Sequence, residues 1–184
     1  MEKLKRIAKQ MVANNKGILA ADESTPTCTK RFEQHQVEST SITRNHYRST
    51  LFSTVELENY ISGIILFDET FHQKLMNSDI PIPVFLKEKG ILTGIKVDTG
   101  AKLLANHNNE KITEGLDGLR ERLQVYQQKG ADFAKWRAVI TIGKKIPSKG
   151  CINANAHALA RYASLCQENG LVPIVEPEVL MDGN

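Results

Sequence analysis

Five short apolar runs recur along this chain, each opened or preceded by glycine. They are Gly17-Ile-Leu-Ala-Ala-Asp22, Gly63-Ile-Ile-Leu-Phe67, Gly94-Ile-Lys-Val97, Ala131-Asp-Phe-Ala-Lys-Trp-Arg-Ala-Val-Ile140 and Leu171-Val-Pro-Ile-Val-Glu176. Their length and Ile/Val content predict strands, and their near-continuous apolar character predicts strands covered on both faces, as in a parallel sheet. Helical periodicity fills the gaps. Leu116, Leu119, Leu123 and Tyr126 form one stripe ending at Gly130. Ile152, Ala156, Leu159, Ala163 and Cys166 form another ending at Gly170. Hydroxyls at Ser39-Thr40-Ser41 predict the cap of a helix carrying Tyr47 and Leu51. Asp68 to Met76 predicts a shorter helix, and Leu4, Ile7, Ala8 and Met11 predict an N-terminal one. The repeated order is strand, helix, glycine, strand.

That order admits two α/β architectures. A doubly wound sheet announces itself by a glycine-rich phosphate turn after the first strand. Here the first strand runs into Asp22-Glu-Ser-Thr-Pro26, and the chain contains no G-x-G-x-x-G or G-x-x-x-x-G-K-[ST]. A (β/α)8 TIM barrel carries its chemistry on the C-terminal ends of many strands. Asp22, Lys96, Lys135 with Arg137, and Glu176 with Glu178 all fall at such ends. A barrel of this kind has eight strands and about 250 residues. The 184 residues hold five legible strands, so the expected fold is a TIM barrel of which about five βα units are present, residues 1-184 forming a single incomplete domain.

The charged pairs predict a polar site. In a strand, residues i and i+2 share a face. Lys135 with Arg137, and Glu176 with Glu178, therefore each send two charges into one space. Unpaired charges are too costly to bury there. Lys96 or Lys135 could present an amine for proton transfer or carbonyl attack, or could simply pair with Asp22 and the glutamates. Glu176 and Glu178 could act as acid and base, or neutralise Lys135 and Arg137. Hydroxyls at Ser24 and Thr25 beside Lys30 and Arg31 suit phosphate.

Other chemistries find little support. The net charge of +3 is small, and Lys144-Lys145 and Lys149 lack interleaved aromatics, so no nucleic-acid partner is expected. His35, His46, His72, His107 and His157 show no metal-ligand spacing, and no G-x-S-x-G elbow is present. Cys28, Cys151 and Cys166 form no C-x-x-C, which favours a reducing compartment. No apolar stretch could span a membrane, and the N-terminus lacks the apolar core of a signal peptide. A soluble, cytoplasmic protein is expected.

Taken in order, these segments resemble class I fructose-bisphosphate aldolase. The matching text runs through Gly17-Ile-Leu-Ala-Ala-Asp-Glu-Ser-Thr25, Gly63–Phe67, Gly94-Ile-Lys-Val-Asp98 and Gly115-Leu-Asp-Gly-Leu119. It continues through Gly130-Ala-Asp-Phe-Ala-Lys-Trp-Arg137, Leu159-Ala-Arg-Tyr-Ala-Ser164 and Val172-Pro-Ile-Val-Glu-Pro-Glu178. The resemblance implies a cofactor-free, metal-independent lyase of glycolysis and gluconeogenesis. Such an enzyme reversibly cleaves fructose 1,6-bisphosphate into dihydroxyacetone phosphate and glyceraldehyde 3-phosphate through a lysine Schiff base. It also implies a homo-oligomer, a tetramer in the complete protein.

By motif position, the resemblance makes Asp22 the proton-transfer group of carbon–carbon cleavage and Glu176 the acid/base of Schiff-base formation. Lys135 becomes the cation aiding carbinolamine turnover, and Glu178 tunes it. Ser24, Arg31, Arg44, Lys96 and Arg137 hold substrate phosphate or hydroxyls. Neither Lys96 nor Lys135 matches the family's Schiff-base lysine, which is expected beyond Asn184 together with the second phosphate site. Thr27 stands where many members have serine, and the loop Asn106–Asn109 departs from the family pattern. The isolated chain is therefore expected to lack turnover. The alternatives are a non-catalytic, aldolase-derived fragment acting as an interaction module, or another Schiff-base lyase of barrel form.

Overall fold

A computed structural model describes residues 1–182. Along the chain it places α1 (Glu2–Met11), β1 (Gly17–Ala21), α2 (Thr25–Glu33), α3 (Ser41–Phe52), α4 (Leu57–Tyr60) and β2 (Ile61–Leu66). There follow α5 (Asp68–Phe71), α6 (Ile82–Glu88), β3 (Leu92–Lys96), β4 (Gly100–Leu103) and β5 (Lys111–Glu114). The remaining elements are α7 (Leu119–Gln128), β6 (Phe133–Ile140), α8 (Lys149–Glu168) and β7 (Val172–Val179). The five strands expected from the apolar runs are β1, β2, β3, β6 and β7. They pair in that spatial order, parallel throughout. This is a partial (β/α)8 barrel.

Helix ends follow local chemistry. Thr40 Oγ1 accepts from Thr43 N at 3.1 Å and Thr43 Oγ1 accepts from Thr40 N at 2.9 Å, a reciprocal box that starts α3. Ser148 Oγ accepts from Cys151 N and starts α8. Gly130 and Gly170 follow α7 and α8 at φ +102° and +69°, the left-handed turn-off that a Cβ would oppose.

The sheet separates two cores. Its outer face, with Ile64, Leu66, Ile95, Val97, Ala134, Trp136 and Ala138, packs against the surrounding helices. Its inner face carries a second cluster at the N-terminal ends of the strands, where Ile65, Leu92 and Phe133 meet Ile7 and Met11 of α1. Each large side chain so buried contributes roughly 1.5–3 kcal/mol. The fully buried Phe133 ring fills the space above Gly94, where an added Cβ would collide with it, and lies 3.0 Å from where a Cβ on Gly63 would sit. Glycine at these positions makes room for an aromatic plug in the barrel interior.

Three details differ from the sequence reading. The segment after β3, to which the sequence reading assigned no element, is an antiparallel hairpin, β4–β5, around the Asn106–Asn109 loop. Its short, mostly half-exposed strands lack a long apolar run, so periodicity is silent there. The buried line of α8 is Cys151, Asn155, Ala158, Leu159, Tyr162 and Cys166, while Ile152 and Ala156 face solvent. Polar Asn155 is inside because it donates to Lys111 O at 2.9 Å. Likewise the buried line of α3 is Arg44, Arg48, Ser49 and Phe52 rather than Tyr47 and Leu51, because two arginines find partners beneath it.

Candidate active site

Along each inner-facing row the character changes from apolar to charged within a single step. On β6 the row is Phe133, Lys135, Arg137, and on β7 it is Ile174, Glu176, Glu178. On β3 it is Leu92, Gly94, Lys96. Parallel pairing sets Lys135 beside Lys96 and Ile174, and Arg137 beside Glu176. The apolar end is capped by α1. The charged end lies at the C-terminal ends of the strands, where Asp22 directly follows β1.

Lys135 is the centre of this array. Its Nζ lies 3.2 Å from Asp22 Oδ2 and 3.2 Å from Glu176 Oε2, and only 13% of its side chain is exposed. Burial alone would push the ammonium towards neutrality. The Asp22 and Glu176 carboxylates outweigh that and carry its pKa above the ordinary lysine value. A strongly protonated amine is a proton donor and an electrostatic anchor, not a nucleophile at neutral pH.

Arg137 donates to Glu178, and its hydrogen bond holds the Glu178 carboxyl below the usual glutamate range. Lys96 Nζ lies 3.9 Å from Asp98 Oδ1. Asp98 is nearly sealed from solvent and accepts from Gly100 N at 3.1 Å. Burial pushes its carboxyl up, with Lys96 opposing. Ser24, the N-cap of α2, shares with Lys96 and Asp98 a cavity of about 580 Å3 that also takes in Phe67, Arg122 and Tyr126. Tyr126 donates to Asp68 at 2.6 Å, and burial, with Asp68 assisting, pushes its phenol up to about 12.

The structure thus brings Asp22, Lys135 and Glu176 into direct contact, with Arg137 and Glu178 in the adjacent row and Lys96 and Ser24 sharing one cavity. Two other sequence candidates hold different partners. Arg44 on α3 is clasped by Glu69 at 2.8 and 2.6 Å and by Ser39 O and Oγ at 3.0 Å. Arg31 on α2 is half-exposed and paired with Glu23. Sequence reasoning missed Asp98 as a site residue, although it stands two residues after Lys96 and the i, i+2 rule would have selected it. It also missed Arg48 and Arg122. Arg122 donates to Val97 O at 2.9 Å and Gly115 O at 2.6 Å, clipping the chain where it leaves β3. Main-chain partners of this kind leave no motif.

Among the described residues no helix is long and apolar enough to cross a membrane. Residues 3–184 match the family model described as fructose-bisphosphate aldolase class-I. A probable fructose-bisphosphate aldolase class 1 of Xanthomonas campestris is 57% identical over 184 residues, covering all of this chain and 55% of the relative. Fructose-bisphosphate aldolase B of Mus musculus is 52% identical over 184 residues, covering all of this chain and 50% of the relative. Fructose-bisphosphate aldolase 4 of Arabidopsis thaliana, named as cytosolic, is 55% identical over 169 residues, 92% of this chain and 43% of the relative. Among solved structures, fructose-bisphosphate aldolase from Plasmodium falciparum, in complex with TRAP and a small-molecule inhibitor, superposes with a TM-score of 0.94. It is 48% identical and covers 99% of this chain and 53% of that one. The chain spans about half the length of the curated relatives it matches. A parallel half-barrel with a charged C-terminal rim, matched by aldolases over its full extent, places this chain in the class I fructose-bisphosphate aldolase family.

Proposed function

We propose that this chain supplies the acid/base and part of the substrate-holding machinery of a metal-independent, Schiff-base fructose-bisphosphate aldolase. The complete protein would cleave fructose 1,6-bisphosphate reversibly to dihydroxyacetone phosphate and glyceraldehyde 3-phosphate. The observation that carries this reading is the Asp22–Lys135–Glu176 cluster, two carboxylates flanking one ammonium at the C-terminal ends of barrel strands. That position is where barrel enzymes keep their chemistry. Asp22 takes and returns the proton of the substrate hydroxyl as the carbon–carbon bond breaks and re-forms. Glu176 serves as acid and base while the covalent nitrogen adduct is made. Lys135, held protonated, stabilises the departing hydroxyl. Lys96, Arg137 and Ser24 meet phosphate and hydroxyl oxygens, and Arg31 and Arg44 join them only by exchanging Glu23 and Glu69 for substrate. Neither luminal lysine is suited to be the covalent anchor, because Lys135 is committed to two carboxylates and Lys96 does not match the family's Schiff-base motif. Residues 1–184 by themselves are therefore inactive, and the complete protein is a cytoplasmic homo-oligomer.

The test has two arms. Fructose 1,6-bisphosphate added to the complete protein should perturb the side-chain NMR signals of Lys96, Lys135 and Arg137, and Lys135→Met should remove the response at the remaining two. Borohydride with dihydroxyacetone phosphate should leave residues 1–184 unmodified by mass spectrometry. A reduced adduct on Lys96 or Lys135 would reassign the nucleophile. Silence of all three cations towards the bisphosphate would overturn the site.

A further inference from the structure

Beneath the turn that carries Asp22 lies a charged side chain that faces no part of the lumen. Arg48, on α3, has 0% of its surface exposed. Its Nη2 donates to Glu23 O at 2.5 Å, and its Nη1 donates to Thr70 Oγ1 at 2.6 Å. The same Nη2 lies 3.5 Å from Cys28 Sγ, and the guanidinium stands 5.8 Å from the centre of the Phe67 ring. One planar group thereby joins α3 to the turn after β1, to α2, to the end of β2 and to α5.

Arg48 forms a loose ion pair with the Glu23 carboxylate but makes no hydrogen bond to it. Glu23 Oε2 is 3.8 Å from Arg48, more than an ångström farther than the Glu23 carbonyl, and that oxygen and Arg48 Nε are both left without a hydrogen-bond partner. Glu23 instead directs its carboxylate to Arg31 and to the Tyr47 hydroxyl, at 3.3 Å from the latter. What Arg48 grips at short range is the Glu23 main-chain carbonyl and the Thr70 hydroxyl. A buried guanidinium is expensive to desolvate, and an apolar residue of similar length would fill the same space. The grip on the carbonyl is the feature an apolar residue could not reproduce.

That carbonyl belongs to the residue between Asp22 and Ser24. Fixing the Glu23–Ser24 peptide fixes the direction in which the Asp22 side chain leaves the strand end and the point at which Ser24 begins α2. We propose that Arg48 is a positioning residue for Asp22, holding its carboxylate against Lys135 through the Glu23 carbonyl. The consequence for turnover rests on the proposed role of Asp22 in proton transfer; the geometric claim does not. A lysine at this position keeps the charge but not the two-armed planar fork, so it loses the separate nitrogens that hold Thr70 Oγ1 and Glu23 O.

The Lys135 ammonium reports the outcome. Its Nζ resonance and titration are followed by NMR in the full-length protein bearing Arg48→Ala, Arg48→Lys or Asp22→Asn. Arg48→Ala and Arg48→Lys should both lower the Lys135 pKa towards that of Asp22→Asn. Guanidinium ion at millimolar concentration should restore Arg48→Ala but not Asp22→Asn. Phe52→Leu, a core change on the same helix, is the control for general loosening and should leave the Lys135 signal in place. If Arg48→Ala does not fold, Arg48→Lys carries the comparison, supported by Thr70→Val, which frees only one arm and should shift Lys135 less. An unchanged Lys135 titration in the Arg48 variants, or an equal shift in Phe52→Leu, overturns the proposal. In the full protein's cleavage of fructose 1,6-bisphosphate, Arg48→Lys should lower kcat by about 100-fold, the scale of an ångström-sized misplacement, with KM little changed. If the Lys135 signal moves while kcat does not, Arg48 keeps its positioning role and Asp22 loses its part in the chemistry.

Discussion

Asp22, just past the end of β1, and Glu176, on β7, belong to opposite edges of the parallel sheet, yet each places a carboxylate oxygen 3.2 Å from the same Lys135 Nζ. In a flat sheet, β1 and β6 would be three strand spacings apart, about 14 Å. Lysine and aspartate could bridge that only if both reached sideways across the intervening strands. Curvature of the sheet lets the Lys135 ammonium on β6 reach the end of β1, while Glu176 comes from the neighbouring strand β7.

The first prediction concerns this contact. Asp22→Asn removes one of two counter-charges from a mostly buried ammonium and should lower stability by about 2 kcal/mol at neutral pH, the scale of a charged hydrogen bond. Because the folded-state pKa of Lys135 is raised, its contribution is complete below the unfolded lysine value and fades as pH rises through the folded one. Denaturant melts of wild type and variant should therefore converge on the alkaline side. A deficit that persists once Lys135 has deprotonated would refute the pairing.

Arg44 and Glu69 give the opposite pH signature. The hydrogen bond from Arg44 lowers the Glu69 pKa, so the pair stabilises above the unfolded glutamate value and its contribution is lost as pH falls through the folded one. Glu69→Gln leaves the buried Arg44 guanidinium short of a counter-charge and should cost about 2 kcal/mol at pH 7. Urea midpoints measured at neutral and acid pH should show that penalty shrinking with acidification.

Gly94→Ala tests the plug. The new Cβ would collide with the Phe133 ring, and overpacking of this kind costs about 1–3 kcal/mol. Phe133→Leu should be destabilising alone but should recover part of the loss when combined with Gly94→Ala. Simple additivity in that double-mutant cycle would show that the glycine has another purpose.

Strands β1 and β7 each have one paired neighbour among the described residues, and Val175 and Val179 on β7 are 47% and 48% exposed. Open parallel edges next to apolar surface favour association. Residues 1–184 in isolation should self-associate, read as concentration-dependent mass in light scattering and a poorly cooperative melt. A monomeric chain with a sharp transition would contradict this.

Much of the scaffold was legible beforehand because its signals are local. The five strands follow from apolar runs bounded by glycine, and α3 and α8 start at hydroxyl caps that bond their own first turns. The alternation rule puts Lys135 with Arg137, and Glu176 with Glu178, on one shared face of each strand; that this face is the inner one comes from the assembled sheet. The β4–β5 hairpin escaped because its strands are short and half-exposed. Arg122 escaped because its partners are backbone carbonyls, and Arg48 because one of its two short partners is the Glu23 carbonyl, where residue type carries no information.

Sequence alone determined which residues could be inside, which elements form, and which charges share a face, because period, capping and glycine geometry act over a few residues. Tertiary structure decided which charges meet. It committed Lys135 to Asp22 and Glu176, gave Arg44 to Glu69 and Arg31 to Glu23, and set Arg48 under the Asp22 turn. Those choices depend on sheet curvature and on desolvation, and both are properties of the assembled chain rather than of any segment within it.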